Sequence, residues 1–330
     1  MTVKNLEISD SSAHDCSVCE SIDDDLFRQV KVDESVAERI GYSNYSYWHS
    51  TWHVFMKNRI AVIFLCLLVV LLLFTFLQPF LPGQRSAIKI YTDNAGRQLR
   101  NIPPGADFWF GTNAIGQDLW ARIWSGTRTS MFIGIAVGLF DAIMGVLVGS
   151  LWGYVRKLDR VVTETYNIVQ NIPETIILIL AAYILRPGVG TIILAMCIAG
   201  WLPTARYVRN QIVIIRDREF NLASRCLGTP TIRIVTRNLL PQLVSVIMMR
   251  TALAIPLAIG HEVFLTYIGL GLPVSIPSLG NLVNEGRIVM MSPSLRYQLI
   301  YPSLILSLIT ISFYIIGNSF ADAADPKNHL

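Results

Sequence analysis

The chain has 330 residues, 52% of them hydrophobic and only 15% charged, with 27 basic against 23 acidic side chains for a formal net charge of +4. Its mean hydropathy is +0.48 and its apolar residues fall in long runs, which excludes an ordinary soluble domain and points to an integral membrane protein. A charge so small and so dispersed also gives no reason to expect a nucleic-acid partner.

The 56 residues before the first apolar run hold ten acidic and four basic side chains, with little periodicity before Tyr42. They read as a solvated tail, 1–56, whose later part, SYWHSTWHVFMKN, suits an amphipathic segment at the inner membrane interface. His14 with Cys16 and Cys19 supplies half of a metal knuckle; no second ligand pair stands at a zinc-like spacing, so no metal is assigned.

Crossing a hydrocarbon core of roughly 30 Å takes about 20 helical residues, and six runs qualify. The first, IAVIFLCLLVVLLLFTFL from Ile60 to Leu77, carries no charge and occupies the segment 57–80. It is not a signal peptide, because some 59 residues precede it and no small-residue cleavage site follows. After a loop, 81–128, five further spans make a core over 129–320: Thr129 to Val155, Val162 to Leu185, Val189 to Tyr207, Leu243 to Leu270 interrupted by Pro256 and Gly260, and Leu299 to Phe320. Three of them carry ionisable residues, namely Asp141, Glu164, Glu174, Arg250, His261 and Glu262, so the bundle is expected to enclose something polar. A short tail, 321–330, closes the chain.

The basic residues set an orientation. Lys57 and Arg59, then Arg156, Lys157 and Arg160, then Arg206, Arg209, Arg216, Arg218, Arg225, Arg233 and Arg237 fall on one side, against Arg186, Arg287 and Arg296 on the other. The excess of Lys and Arg in short loops predicts that both termini are cytoplasmic and that 81–128 is external.

That places LASRCLGTPTIRIVTRNLLP, residues 222–241, in the cytoplasm. Gly228 can take the left-handed conformation that ends a helix, Thr229 can cap the next one, and Pro230 suits its first turn. The pattern predicts a helix over about 217–227, a tight turn, and a second helix from Pro230 that stops near Pro241. Phe220, Leu222 and Cys226 on the first helix have nowhere in the chain to be buried together, and such a surface invites a partner. Arginines at a membrane edge also enforce topology and attract anionic headgroups, so the charges alone do not decide between the two.

The fuller pattern does. EFNLASRCLG followed by LLPQ resembles the cytoplasmic signature of ABC-importer permease subunits, with Ala223-Ser224 as the small pair, Gly228 as the glycine and Leu240-Pro241 as the closing dipeptide. Leu222 stands where many members have glutamate, Asn238 stands where isoleucine is common, and Glu219-Phe220 has a counterpart in the peptide branch. FGTNAIGQDLWARIWSGTRTSMFIG, Phe110 to Gly134, is similar to the C-type permease subunit of oligopeptide and dipeptide importers, with Asn113 for a usual aspartate and Gln117 for a usual arginine. GHEVFLTYIGLGLPVSIPSLGNLV, Gly260 to Val283, resembles that family's fifth-span end and external re-entrant turn, with Leu279 replacing a common tryptophan. ADAADPKNHL matches its ending at Asp322, Asp325 and Pro326, and YSNYSYWHS, Tyr42 to Ser50, is similar to the Gram-positive members.

The resemblance implies an all-α permease of the type I importer fold with six transmembrane helices. It would form half of a translocation pathway, together with a homologous B-type permease, two ATPase subunits and an extracellular peptide-binding lipoprotein. It implies an ATPase-coupling surface at Glu219, Phe220, Leu222, Ala223, Ser224, Cys226, Gly228, Thr229, Pro230, Leu240 and Pro241. No phosphate-loop motif and no Gly-Lys dipeptide occurs, so ATP and magnesium would belong to the partner subunits. Dipeptides and nickel-type metal complexes are alternative cargoes within the family.

His261 and Glu262 also raise an enzyme reading, but the H-E-x-x-H template is not completed because position 265 is Leu265, and no G-x-S-x-G elbow appears. They are assigned, with Pro277 and Ser278, to the translocation path or external gate. A homo-oligomeric channel is the remaining class, and it would leave 217–241 without a docking role.

Overall fold

The structure, a computed structural model, describes residues 47–185 and 187–324. His14, Cys16, Cys19, Tyr42 to Ser46, Arg186, Asp325 and Pro326 lie outside the described residues.

The elements are helical. α1 (Tyr47–Lys57) leads into α2 (Arg59–Leu77), which starts where the Asn58 side chain accepts the Ala61 N–H at 3.3 Å. α1 is more than an interfacial segment: Phe55 is buried against Ala61 and Ala323, and its ring lies 5.9 Å from that of Phe320 at the far end of the chain. The connection that follows holds two similar turns, TDNAGRQL and TNAIGQDL, closed by the bridges Thr92 to Gln98 and Thr112 to Asp118. The Tyr91 N–H donates to the Gly116 carbonyl at 2.9 Å and joins the two turns.

α3 (Leu119–Tyr154) begins ten residues before the expected Thr129, because Asp118 accepts the Ala121 N–H and caps it there. The connection therefore ends at 118 and not at 128. The expected third span, Val162 to Leu185, is two helices, α4 (Arg156–Gln170) and α5 (Glu174–Ile184), bent by 78°. Pro173 cannot donate to the ladder and pushes the preceding residue out of the α region, so the helix breaks there. α4 is amphipathic and not apolar throughout.

α6 (Val189–Ala199) and α7 (Trp201–Ile215) form one span that runs eight residues past the expected Tyr207, which puts Arg209 on a helix instead of in a loop. α8 (Glu219–Cys226) is followed by α9 (Thr231–Ile234), a π-helical stretch at Val235–Leu239, a 3₁₀ stretch at Leu240–Leu243, and α10 (Val244–Tyr267). The expected stop at Pro241 does not occur, and α9 through α10 is continuous from Thr231 to Tyr267. Pro241 has no N–H for the carbonyl four residues earlier, and the ladder adjusts by widening before it and tightening after it. The Asn238 carbonyl is covered by the Gln242 side chain at 3.1 Å. Pro256 and Gly260 likewise lie inside α10 and do not interrupt it. α11 (Leu279–Val289) is a short helix, and α12 (Tyr297–Ala324) follows it.

Among the described residues, five helices are long and apolar enough to cross a membrane, or six if α4 and α5 count as one span. α3 is the centre of the bundle. Its Gly145, Gly149 and Gly153, four residues apart, let α7 approach so closely that a Cβ on Gly149 would lie 2.5 Å from the Ala205 carbonyl oxygen. α10 packs on another face of α3 and on α12, and α11 fits between α3, α10 and α12. Large apolar side chains such as Val70, Phe132 and Ile184 point out of the bundle, as lipid-facing residues do.

Candidate functional site: a tethered surface helix and a buried carboxylate

α8 is the helix that the sequence singled out, and its ends are built as expected on one side only. Gly228 has φ +75°, its N–H donates to the Arg225 carbonyl at 2.9 Å, and the Thr229 N–H donates to the Ser224 carbonyl at 3.1 Å. These two bonds make a Schellman turn, in which a glycine carries the left-handed residue at least cost. Thr229 does not cap the next helix: Pro230 occupies the N-cap position of α9, without a side-chain cap.

The surface that α8 presents is apolar. Phe220 is 42% exposed, Leu222 44% and Leu227 86%, with Ala223 and Cys226 exposed beside them and Glu219 at the first turn. Ser224 points back and donates to the Phe220 carbonyl at 2.9 Å. Leu240 is half-buried and Pro241 exposed, on the helix that leads into the bundle.

Residues that the motif did not mark hold α8 in place. Asn221 is fully buried, donates to the Ile215 carbonyl at 2.9 Å, and accepts from Asn238 at 3.3 Å. Asn238 also donates to Ser224 at 3.3 Å, so this asparagine ties α8 to the helix after it. Arg225 donates to the Tyr154 hydroxyl and to the Arg216 carbonyl, both at 3.2 Å, and lies 3.6 Å from Asp217. Slight burial works to raise the Asp217 carboxyl, but hydrogen bonds and positive charge from Arg156 and Arg216 outweigh it and hold the group below the ordinary aspartate range. Arg218, Arg233 and Arg237 are exposed and make no ion pair among the described residues.

Replacing Asn238 with Ile should loosen α8 without unfolding the bundle. It leaves the buried Asn221 carbonyl oxygen unpaired, at a cost of about 1–3 kcal/mol. Hydrogen–deuterium exchange of residues 219–226 should then quicken by about fivefold or more. Unchanged exchange would show that Asn238 is not a tether.

The second site surrounds Glu262, fully buried one turn from the end of α10. Its carboxylate accepts from Ser278 at 2.8 Å, from Ser130 and Thr266 at 3.2 Å, and from the Gly280 N–H. Ser278 is the N-cap of α11 and itself accepts the Asn281 N–H at 3.0 Å, while Ser130 accepts the Leu279 N–H at 3.0 Å. The carboxylate thus sits on the positive end of α11 and joins it to α3 and α10. Pro277 is buried beside Ser278, and His261 is half-buried and not among the groups bonded to the carboxylate. Three hydroxyls satisfy the carboxylate, which is what a structural anchor needs.

Asn113 and Gln117 meet a partner that the sequence did not indicate. Asn113 donates to Gln117 at 3.1 Å and to Glu285 at 3.2 Å, Arg122 donates to Gln117, and Arg122 pairs with Glu285 at 2.6 Å. The ionic contact is made by Arg122, fully buried on α3, and reaches α11. Its partner lies 163 residues away, a separation that no local pattern reveals.

Among the described residues the fold is a mostly helical bundle with five to six helices apolar enough to cross a membrane and one tethered surface helix, the architecture of a membrane permease family. The family described as binding-protein-dependent transport system inner membrane component matches residues 145–329, and the chain belongs to it. The N-terminal transmembrane domain of oligopeptide transport permease C matches residues 46–104. Among similar proteins, the oligopeptide transport system permease protein AmiD of Streptococcus pneumoniae (strain ATCC BAA-255 / R6) is 38% identical over 94% of this chain and 99% of its own length. The dipeptide transport system permease protein DppC of Bacillus subtilis (strain 168) is 33% identical over 88% of this chain and 89% of its own, and OppC of the same organism is 31% identical over 93% and 99%.

Proposed function

We propose that the chain is one transmembrane half of an ATP-driven oligopeptide importer, paired with a homologous B-type permease, two cytoplasmic ATPase subunits and an extracellular peptide-binding protein. Near-complete coverage of an oligopeptide permease at 38% identity supports the cargo class. The distribution of Lys and Arg supports cytoplasmic termini and an external 81–118 segment.

The observation that carries the coupling role is the exposed apolar face of α8, held by Asn221 and Arg225 to the ends of α3 and α7. A rigid element tied to two core helices passes the movement of an ATPase on to the bundle, which then changes between discrete packings. Glu262, with Ser278, Pro277 and His261, belongs to the external gate: its hydrogen bonds hold α11 across the outer end of the bundle.

Gly228 offers the test. Nothing lies within 4 Å of a Cβ built there, so substitution acts through the backbone alone. Valine in a left-handed conformation costs about 1–2 kcal/mol and should reshape the turn, whereas asparagine tolerates it. Gly228→Val is expected to lower ATP-dependent peptide uptake and ATPase assembly at least tenfold in the reconstituted complex, and Gly228→Asn to retain most of both. Survival of assembly and uptake in Gly228→Val would end the coupling role.

A further inference from the structure

The polar face of α4 and the end of α7 line an open pocket of about 480 Å³, bordered by Arg156, Arg160, Arg209 and Arg216 with Asp159 and Glu164. Its carboxylates do not balance its guanidinium groups. Asp159 is committed to Arg209, which approaches to 2.6 Å. Asp217, just outside, is shared among Arg156, Arg216 and Arg225 at 3.2, 3.3 and 3.6 Å. Arg160 makes no ion pair among the described residues. One turn earlier on α7, Arg206 lies over the rings of Trp152 and Tyr166, and its Nη1 is buried without an acceptor.

The opposite face of α4 sets the depth at which this pocket lies. Leu158, Val161 and Ile168, with Ile172 just beyond the helix, are exposed at spacings of three, seven and four residues, so they form one apolar stripe. No residue of α4 is buried, and the helix turns 78° away from α5. Arg156 and Arg160 lie in the first turns of α4, just after the end of α3, and an apolar stripe beside a basic polar face suits that end of the helix to the level of the headgroups, before the chain continues through α5.

We propose that the pocket between α4 and α7 binds the phosphate of an anionic phospholipid headgroup of the inner leaflet, with Arg160 and Arg156 as its principal ligands. A basic pocket between helices on the cytoplasmic side is suited to such a headgroup. The bound phosphate would neutralise Arg156 and release Asp217 to Arg216 and Arg225, so lipid charge would reach α8 through that carboxylate. The site rests on the reading that this end of the bundle is cytoplasmic.

The test is native mass spectrometry of the full chain in detergent, titrated with phosphatidylglycerol or phosphatidylcholine. The parent is expected to retain phosphatidylglycerol at least tenfold more strongly. Arg160→Ala should weaken that retention about fivefold and Arg156→Ala/Arg160→Ala about 25-fold, with thermal unfolding unchanged. Equal retention of the two lipids, or full retention by the double variant, overturns the proposal. Displacement of the lipid by equimolar inorganic phosphate assigns the site to a soluble anion and overturns the lipid source. Loss of ATPase assembly in the double variant with lipid retention intact assigns the arginines to a protein and overturns it as well. The titration needs no ATP and no partner subunit, so its failure leaves the importer reading standing, and the Gly228 experiment fails or succeeds independently.

Discussion

Replacing Glu262 with Ala is expected to lower the midpoint of thermal unfolding by on the order of 10 °C, read from tryptophan fluorescence of the purified chain in detergent. The substitution strands the hydroxyls of Ser130, Thr266 and Ser278 and the Gly280 N–H around an apolar void. Buried donors left without an acceptor cost about 1–3 kcal/mol each before they relax, so a net loss of about 3–5 kcal/mol is expected, and each kcal/mol moves the midpoint by about 2–4 °C in a chain of this order of size. Glu262→Gln keeps an oxygen acceptor in the same place, and the serine hydroxyls can rotate to accept from the new amide, so it should lose less than half as much. A Glu262→Ala chain that melts with the parent would show that α11 is held by its apolar contacts alone, and the gate assignment would lose its physical basis.

Gly149→Leu is expected to be the most damaging single change in the core. A Cβ there meets the Ala205 carbonyl oxygen at 2.5 Å and the Val208 Cβ at 2.9 Å, so the backbones of α3 and α7 must separate before any larger side chain fits. Overpacking of this kind costs about 1–3 kcal/mol and more where the obstacle is backbone. Separation also strains the Arg209–Asp159 pair, which ties α7 to α4 just beyond the end of α3. The yield of monodisperse protein in size-exclusion chromatography should fall severalfold, with a lowered unfolding midpoint. Gly260→Ala is the matched control. Nothing lies within 4 Å of its Cβ, and alanine raises helix propensity by up to about 1 kcal/mol, so the midpoint should hold or rise. Equal behaviour of the two variants would contradict the close approach of α3 and α7.

Both effects depend on which residues meet across the bundle, and that marks the limit of what is legible along the chain. The spans were readable because hydrocarbon imposes length and composition on any helix that crosses it. The surface helix α8 was readable because its signals are local: a glycine needed for a left-handed turn, and apolar side chains with nowhere nearby to go. Prolines misled in both directions. Pro173 broke a span that looked continuous, while Pro241 and Pro256 were absorbed by helices expected to stop or falter, because neighbouring side chains and a change of helical pitch satisfy what proline leaves open.

The amino-acid sequence by itself determined that this is a membrane permease and where its surface helix α8 begins and ends, since length, hydropathy and short-range turn chemistry act within a few residues of their cause. Only the tertiary structure decided that Asn221, Asn238 and Arg225 tether that helix, that Glu262 joins three helices, and that Arg122 answers Glu285. Each of these is a buried polar group whose partner is set by packing. Burial makes the partner obligatory, and the chain order does not say which group it will be.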